Sequence, residues 1–143
     1  MRAEVVKIPC GGRAADADVY LPAAEKYPVA VLSHGFGGGR EDFAETAAFL
    51  AANGVGAVAL TFCGSGARDK SGFPTTEMTL FTEREELLAA ADYAKTLGGF
   101  DGRLFLVGGS QGGMVSAMAA ESRPKEFSGM ALLFPAFCIP DDW

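Results

Sequence analysis

Ser110 lies in the pattern Gly108-x-Ser110-x-Gly112, which is typical of a nucleophilic serine on a sharp strand-to-helix turn. Residues 104–107 form an apolar run before the turn, and residues 114–120 after it have a helical composition. Such a turn strains the serine backbone and leaves space only for glycine two residues before and after it. The pattern predicts that Ser110 attacks an acyl carbonyl and that the following helix N-terminus faces the developing negative charge.

A second glycine-rich stretch, His34-Gly35-Phe36-Gly37-Gly38-Gly39, follows the apolar run of residues 29–33. Acyl transfer requires preorganised N–H donors for the oxyanion. The backbone N–H of Gln111, next to the nucleophile, is the first predicted donor, and the backbone N–H of Phe36 is the second. Because both stretches follow strands, they are expected to share the carboxyl edge of one sheet.

A non-catalytic interpretation of the two glycine-rich stretches is that they bind phosphate. A chain with 19 glycines matches Gly-x-Ser-x-Gly by chance easily, and helix N-termini bind anions. Apart from Arg40, however, neither stretch carries a basic residue. A phosphate-binding domain therefore ranks last among the functions considered.

The elements around these loops predict an α/β fold, with a mostly parallel sheet and helices on both faces. Four features support it: an antiparallel N-terminal strand pair, further apolar strands expected to be buried, helices between those strands, and a Thr82/Glu85 capping box that starts the second helix. Residues 83–86 are expected to be a solvated face of that helix. The predicted strands are residues 2–8, 15–21, 29–33, 55–62, 104–107 and 129–134, and the predicted helices are residues 41–53, 82–97 and 114–120.

Length and charge indicate a single domain over residues 1–143 with net charge −6. A basic patch and a membrane-length apolar run are both absent from the sequence, so nucleic-acid and membrane partners are not expected. The N-terminus lacks a signal-peptide pattern, and the three cysteines, Cys10, Cys63 and Cys138, fit neither a disulfide framework nor a metal site. We therefore expect a cytoplasmic protein with free thiols and without metal or organic cofactor, and a buried, inert Cys63.

With these motifs the chain resembles the α/β-hydrolase superfamily, and within it the bacterial cinnamoyl/feruloyl-type serine esterases. The resemblance implies hydrolysis of carboxylic esters by Ser110, with hydroxycinnamoyl esters as one substrate class, and places His34 in the oxyanion loop rather than as the general base. Relatives often have histidine where this chain has Gly109. The residues that carry the resemblance are Ser33 to Gly38, Arg40 to Phe43, Gly64 to Gly66, Met78 to Leu80, Gly108 to Gly113 and Phe134 to Ala136.

The end of the sequence departs from the family pattern. In the family, two further strands carry the acidic residue and the histidine of the triad, whereas this sequence stops after the 129–134 strand and has His34 as its single histidine. Asp141 and Asp142 are interpreted as exposed loop residues. The expectation is an N-terminal hydrolase portion without a complete triad. The alternative is an inactive hydrolase-fold fragment or binding module. The 129–134 strand would lie at an open sheet edge, which a second copy or another chain is expected to cover.

Overall fold

The computed structural model describes residues 3–138, which form one six-stranded sheet in the order β1-β2-β4-β3-β5-β6. The last four strands of that order run parallel, whereas β1 pairs with β2, and β2 with β4, in antiparallel fashion. The strands are β1 Ala3–Cys10, β2 Arg13–Tyr20, β3 Tyr27–Ser33, β4 Gly56–Leu60, β5 Phe100–Gly109 and β6 Gly129–Leu133. The helices are α1 Ala44–Ala52, α2 Leu80–Ala94 and α3 Gln111–Ser122, with 3-10 helices at Arg40–Phe43 and Thr75–Glu77.

The central strands bury both of their faces, which explains their continuous apolar sequences. In β3, Val29 and Val31 face the core that includes α2 and α3, while Ala30 and Leu32 face the core that includes α1. The alternation follows from the two-residue period of a strand. The predicted α/β fold, with a mostly parallel sheet and helices on both faces, is confirmed.

Helix α2 begins earlier than predicted, and its capping box uses different residues. The Thr79 Oγ1 accepts a hydrogen bond from the Thr82 N–H (3.1 Å), and the Thr82 Oγ1 accepts one from the Thr79 N–H (2.9 Å). The predicted Thr82/Glu85 box is therefore wrong, because Thr82 fills the third helical position, which Glu or Gln more often fills. The predicted solvated face is wrong for Glu83 and Glu86, which are only 2% and 0% exposed, whereas Glu85 is exposed as predicted.

The last strand, β6, lies at an edge of the described sheet as expected, but the expectation that it is buried is wrong. Among residues 3–138, β6 pairs with β5 alone, and Met130 on it is 46% exposed. An apolar groove of about 360 Å³ runs between α1 and β6, lined among others by Leu50, Phe105 and Met130. The apolar sequence of β6 suits burial, but the described elements that contact it leave Met130 and Leu133 about half exposed. Asp141 and Asp142 lie outside the described residues.

Within residues 3–138, no helix is both long and apolar enough to cross a membrane.

Candidate active site

Ser110 occupies the turn between β5 and α3 in a backbone conformation that is rare for a residue with a side chain. Its φ is 53° and its ψ is −116°, and it is exposed. The Ser110 N–H donates to the Leu133 carbonyl (2.9 Å), and the Ser110 carbonyl accepts from the Ala136 N–H (2.9 Å). Strained residues persist when their surroundings over-determine them. Here β6 and the loop after it hold both backbone groups of the serine.

Close backbone contacts require glycine at Gly108 and Gly112, two residues before and two residues after Ser110. A Cβ on Gly112 would lie 2.5 Å from the His34 carbonyl oxygen and still closer to the Ser33 oxygen. A Cβ on Gly108 would lie 2.6 Å from the Gly112 carbonyl carbon. A Cβ on Gly109, by contrast, would meet only the Phe43 ring, at 3.5 Å. The turn is therefore pressed against the end of β3, and only Gly109 has space for a side chain.

The second glycine-rich stretch, residues 34–39, lies directly against the serine. A Cβ on Gly35 would be 3.4 Å from the Ser110 Cβ and 3.9 Å from its Oγ. The stretch folds as a turn in which the Gly38 N–H donates to the Gly35 carbonyl (3.0 Å). Among residues 3–138, neither the Phe36 N–H nor the Gln111 N–H has a hydrogen-bond acceptor. The expected shared edge is confirmed: Gln111 follows Ser110 directly, and Phe36 follows Gly35, which contacts Ser110.

His34 is buried and has a structural position. Its Nε2 accepts a hydrogen bond from the Phe62 N–H (3.0 Å), so Nδ1 carries the proton and donates to the Gly35 carbonyl (2.7 Å). Burial lowers the pKa of this imidazole below its ordinary 6.5. Both ring nitrogens are occupied, so His34 joins the turn to the end of β4 and is not placed to take the Ser110 proton.

The loop after β4 supports residues 34–39 from the other side. The Ser65 Oγ donates to the Gly38 carbonyl (3.3 Å), and the Arg40 N–H donates to the Thr61 Oγ1 (3.0 Å). These contacts fix the loop that carries Phe36 without using the Phe36 N–H. The conformation of this loop is therefore fixed by contacts within the chain.

Two buried carboxylates on α2 belong to the site's support, and sequence reasoning missed them. The Gln111 Nε2 donates to the Glu83 Oε2 (2.6 Å). Glu86 accepts from the Cys63 N–H and from the Arg13 Nε, both at 2.8 Å. A spacing of three residues on a helix places Glu83 and Glu86 on one face, and that spacing was the available signal.

Cys63 is buried, and burial raises the pKa of its thiol to about 12, which matches the expected inert cysteine. Among residues 3–138, no group of three His, Cys, Asp or Glu side chains is arranged to hold a metal ion.

Three exposed aromatic side chains lie on the two segments whose backbones contact Ser110. Phe36 is 70% exposed, and Phe134 and Phe137, on the loop that binds the Ser110 backbone, are 94% and 53% exposed. Phe134 has a φ of 50°, which is unfavourable for an aromatic residue and directs the chain away from β6. Large exposed apolar side chains grouped near a reactive centre are typical of a binding surface.

The family model described as serine aminopeptidase, S33, matches residues 24–143. With the sheet order and the Ser110 turn, this match shows that the chain belongs to that family of α/β-hydrolases. No curated protein matches the chain.

Solved structures of hydrolases match almost all of the chain. Est1E from Butyrivibrio proteoclasticus, in a structure with ferulic acid bound, has 28% identity and a TM-score of 0.87 over 96% of this chain and 55% of its own. A thioesterase domain from the curacin biosynthetic pathway has 24% identity and a TM-score of 0.78, covering 94% of this chain and 47% of its own. The α/β-hydrolase GrgF from Penicillium sp. has 16% identity and a TM-score of 0.83, covering 94% and 46%. The chain thus spans about half the length of these structures. The Est1E match confirms the resemblance to feruloyl-type esterases.

Proposed function

We propose that this chain carries the nucleophile and oxyanion hole of a serine hydrolase that cleaves carboxylic esters through an acyl-Ser110 intermediate. The observation that carries the proposal is the strained, exposed Ser110 with residues 34–39 against it. The family membership and the likeness to Est1E support it.

In the proposed reaction, the Ser110 Oγ attacks the ester carbonyl and gives its proton to a general base. The carbonyl oxygen becomes an oxyanion, held by the N–H groups of Phe36 and Gln111. The intermediate collapses, the C–O bond to the alcohol breaks, and the protonated base returns its proton to the leaving alcohol. Water then attacks the acyl-serine in the same way and releases the acid.

The general base in this proposal is a histidine from outside the 143 residues, because His34 is committed to Phe62 and Gly35. A serine hydroxyl without a base is a weak nucleophile at neutral pH. Loss of the histidine from a triad costs on the order of a million-fold in turnover, with residual catalysis from the oxyanion hole. We therefore propose that the chain alone acylates slowly and deacylates even more slowly, and that the complete site includes a further segment or chain.

The proposed substrate class is an ester with an aromatic acyl group, such as a hydroxycinnamoyl ester. Phe36, Phe134 and Phe137 offer exposed aromatic surface around the serine, and offset stacking on such rings favours a planar acyl group. The ferulic acid in the Est1E structure supports the same class.

The cytoplasmic location expected from the sequence is also a prediction.

The test is intact-protein mass spectrometry of the chain after incubation with p-nitrophenyl butyrate, with p-nitrophenol release followed in parallel. The expected result is one butyryl adduct that is lost in Ser110→Ala. Ser122→Ala, at the exposed far end of α3, is the matched control and should acylate like the wild type. Equal labelling of the wild type and Ser110→Ala, or no adduct in either, would favour the alternative function, an inactive hydrolase-fold module. A p-nitrophenyl ferulate ester that acylates no faster than the butyrate would remove the aromatic preference.

A further inference from the structure

Glu83 is a buried carboxylate whose one hydrogen-bond partner among the described residues is the side chain next to the nucleophile. Glu86, the other buried carboxylate of α2, is bound by Arg13 and the Cys63 N–H, which explains its burial. Glu83 has no cation partner among residues 3–138, and the Gln111 Nε2 lies 2.6 Å from its Oε2. Burial of a carboxylate without a counter-ion is costly, so this arrangement calls for an explanation beyond packing.

We propose that Glu83 is a positioning residue that fixes Gln111 and thereby aims the Gln111 backbone N–H at the oxyanion. The inference rests on the proposed function, in which that N–H is one of the two donors. It assigns to Glu83 a role that the Gly-x-Ser-x-Gly pattern does not contain.

The position of Gln111 in the fold is the physical reason. It is the first residue of α3 and follows a serine with positive φ, so regular helical hydrogen bonds do not hold its N–H. Its side chain is buried, and a buried amide without an acceptor loses solvation that nothing restores. A charge-assisted hydrogen bond to Glu83 fixes that side chain. Fixing it limits how far the Gln111 backbone can rotate about the strained turn.

The charge of Glu83 is set by burial and by its neighbours. Burial raises its pKa to about 7, the hydrogen bond from Gln111 opposes the rise, and the nearby Glu86 adds to it. Among the described residues, Arg13 on β2 binds Glu86 (2.8 Å) and also the exposed Glu85 (3.1 Å), and Cys63 faces Glu86 through its N–H. Glu83 therefore changes from neutral to ionised across neutral pH, and the strength of its hydrogen bond to Gln111 changes with it.

The first test is a pH titration of the ¹⁵N-labelled chain by NMR, which requires no catalytic activity. We expect the side-chain amide and backbone amide signals of Gln111 to move together between pH 6 and 8. Both movements should be absent in Glu83→Gln and unchanged in Glu85→Gln, an exposed matched control on the same helix. A Gln111 side-chain amide signal with the same position and the same pH dependence in the wild type and in Glu83→Gln would overturn the contact. A side-chain signal that moves while the backbone amide stays constant would overturn the positioning role.

The second test is the rate of Ser110 acylation by p-nitrophenyl butyrate at saturating and subsaturating ester. Removal of an oxyanion donor costs a hundredfold or more, so its misplacement in Glu83→Ala should lower the maximal rate about tenfold at unchanged half-saturation. Glu83→Gln keeps an oxygen acceptor for the Gln111 Nε2 and should restore most of the rate. Equal maximal rates in all three proteins would overturn the role. If the wild type does not acylate at all, the proposed function fails while the NMR titration still decides whether Glu83 positions Gln111.

Discussion

Substitution of Gly112 by alanine tests whether the Ser110 turn is pressed against β3 as the structure has it. A carbon atom packs comfortably against its neighbours at about 3.5 Å, whereas the added Cβ would lie 2.5 Å from the His34 carbonyl oxygen. Since the Ser33 oxygen would lie closer still, the end of β3 and the start of α3 must then separate by more than about 1 Å. Both contacting groups are backbone, so no side-chain rotation relieves the overlap.

The expected cost follows from the rigidity of these two elements. Overpacking a well-packed site costs typically 1–3 kcal/mol, and a backbone-to-backbone overlap belongs at the upper end, at about 3 kcal/mol. For a chain of this size, that corresponds to a fall in Tm of about 9 °C. Gly109→Ala is the matched control on the same turn, because its Cβ would meet only the Phe43 ring at 3.5 Å. We expect it to change stability by less than about 1 kcal/mol.

The assay is thermal and urea unfolding of the wild type, Gly112→Ala and Gly109→Ala, followed by circular dichroism. Ser110 acylation is measured on each protein below its Tm. Gly112→Ala should lose both stability and acylation, whereas Gly109→Ala keeps both. If the two variants melt within about 2 °C of each other, the turn is not packed against β3, and the geometry on which the proposed oxyanion hole depends is wrong.

Two further predictions concern the imidazole and the sheet edge. His34, the single histidine of the sequence, should be the neutral Nδ1–H tautomer at pH 7.5 in long-range ¹H–¹⁵N spectra, and it should titrate below pH 6.5. Since burial lowers its pKa below 6.5, the unfolded state binds more protons than the folded state around that pH, and the free energy of unfolding should fall as the pH drops through it. An imidazole that titrates normally in the folded chain would contradict this. We also propose that β6 mediates self-association unless another segment covers it. Sedimentation velocity should then show oligomers that Met130→Lys disperses and Val5→Lys, on the opposite edge strand β1, does not. A monodisperse wild-type monomer would argue against an uncovered edge that pairs.

The sheet and the position of the serine turn could be predicted from sequence because their signals are local. Apolar runs mark β3, β4 and β5, and glycine spacing marks the two loops at their carboxyl ends. Parallel strand order then brings residues 34–39 and Ser110 to one edge without further information. The roles of Phe36 and Gln111 rest on the same argument and remain predictions.

The buried carboxylates could not be predicted because their partners are distant in sequence. Glu83 and Gln111 are separated by 28 positions, and Arg13 and Glu86 by 73. A run of acidic residues on a helix is ordinarily solvated. Here α2 begins at Leu80, and its packing against α3 and the sheet turns Glu83 and Glu86 inward. The prediction that β6 is buried was wrong for a different reason. Its apolar sequence is typical of a covered strand, but residues 3–138 leave it partly uncovered.

The exposed edge strand β6 is hydrogen-bonded to the backbone of Ser110, so whatever covers β6 also affects the nucleophile. The Leu133 carbonyl, at the end of β6, accepts from the Ser110 N–H, and the Ala136 N–H, in the loop after it, binds the Ser110 carbonyl. Edge strands with few neighbours open locally at low free-energy cost. Each opening of β6 would release the strained serine backbone. A chain or segment that covers β6 therefore stabilises the conformation of Ser110 as well as the sheet, even where it contributes no residue to the reaction.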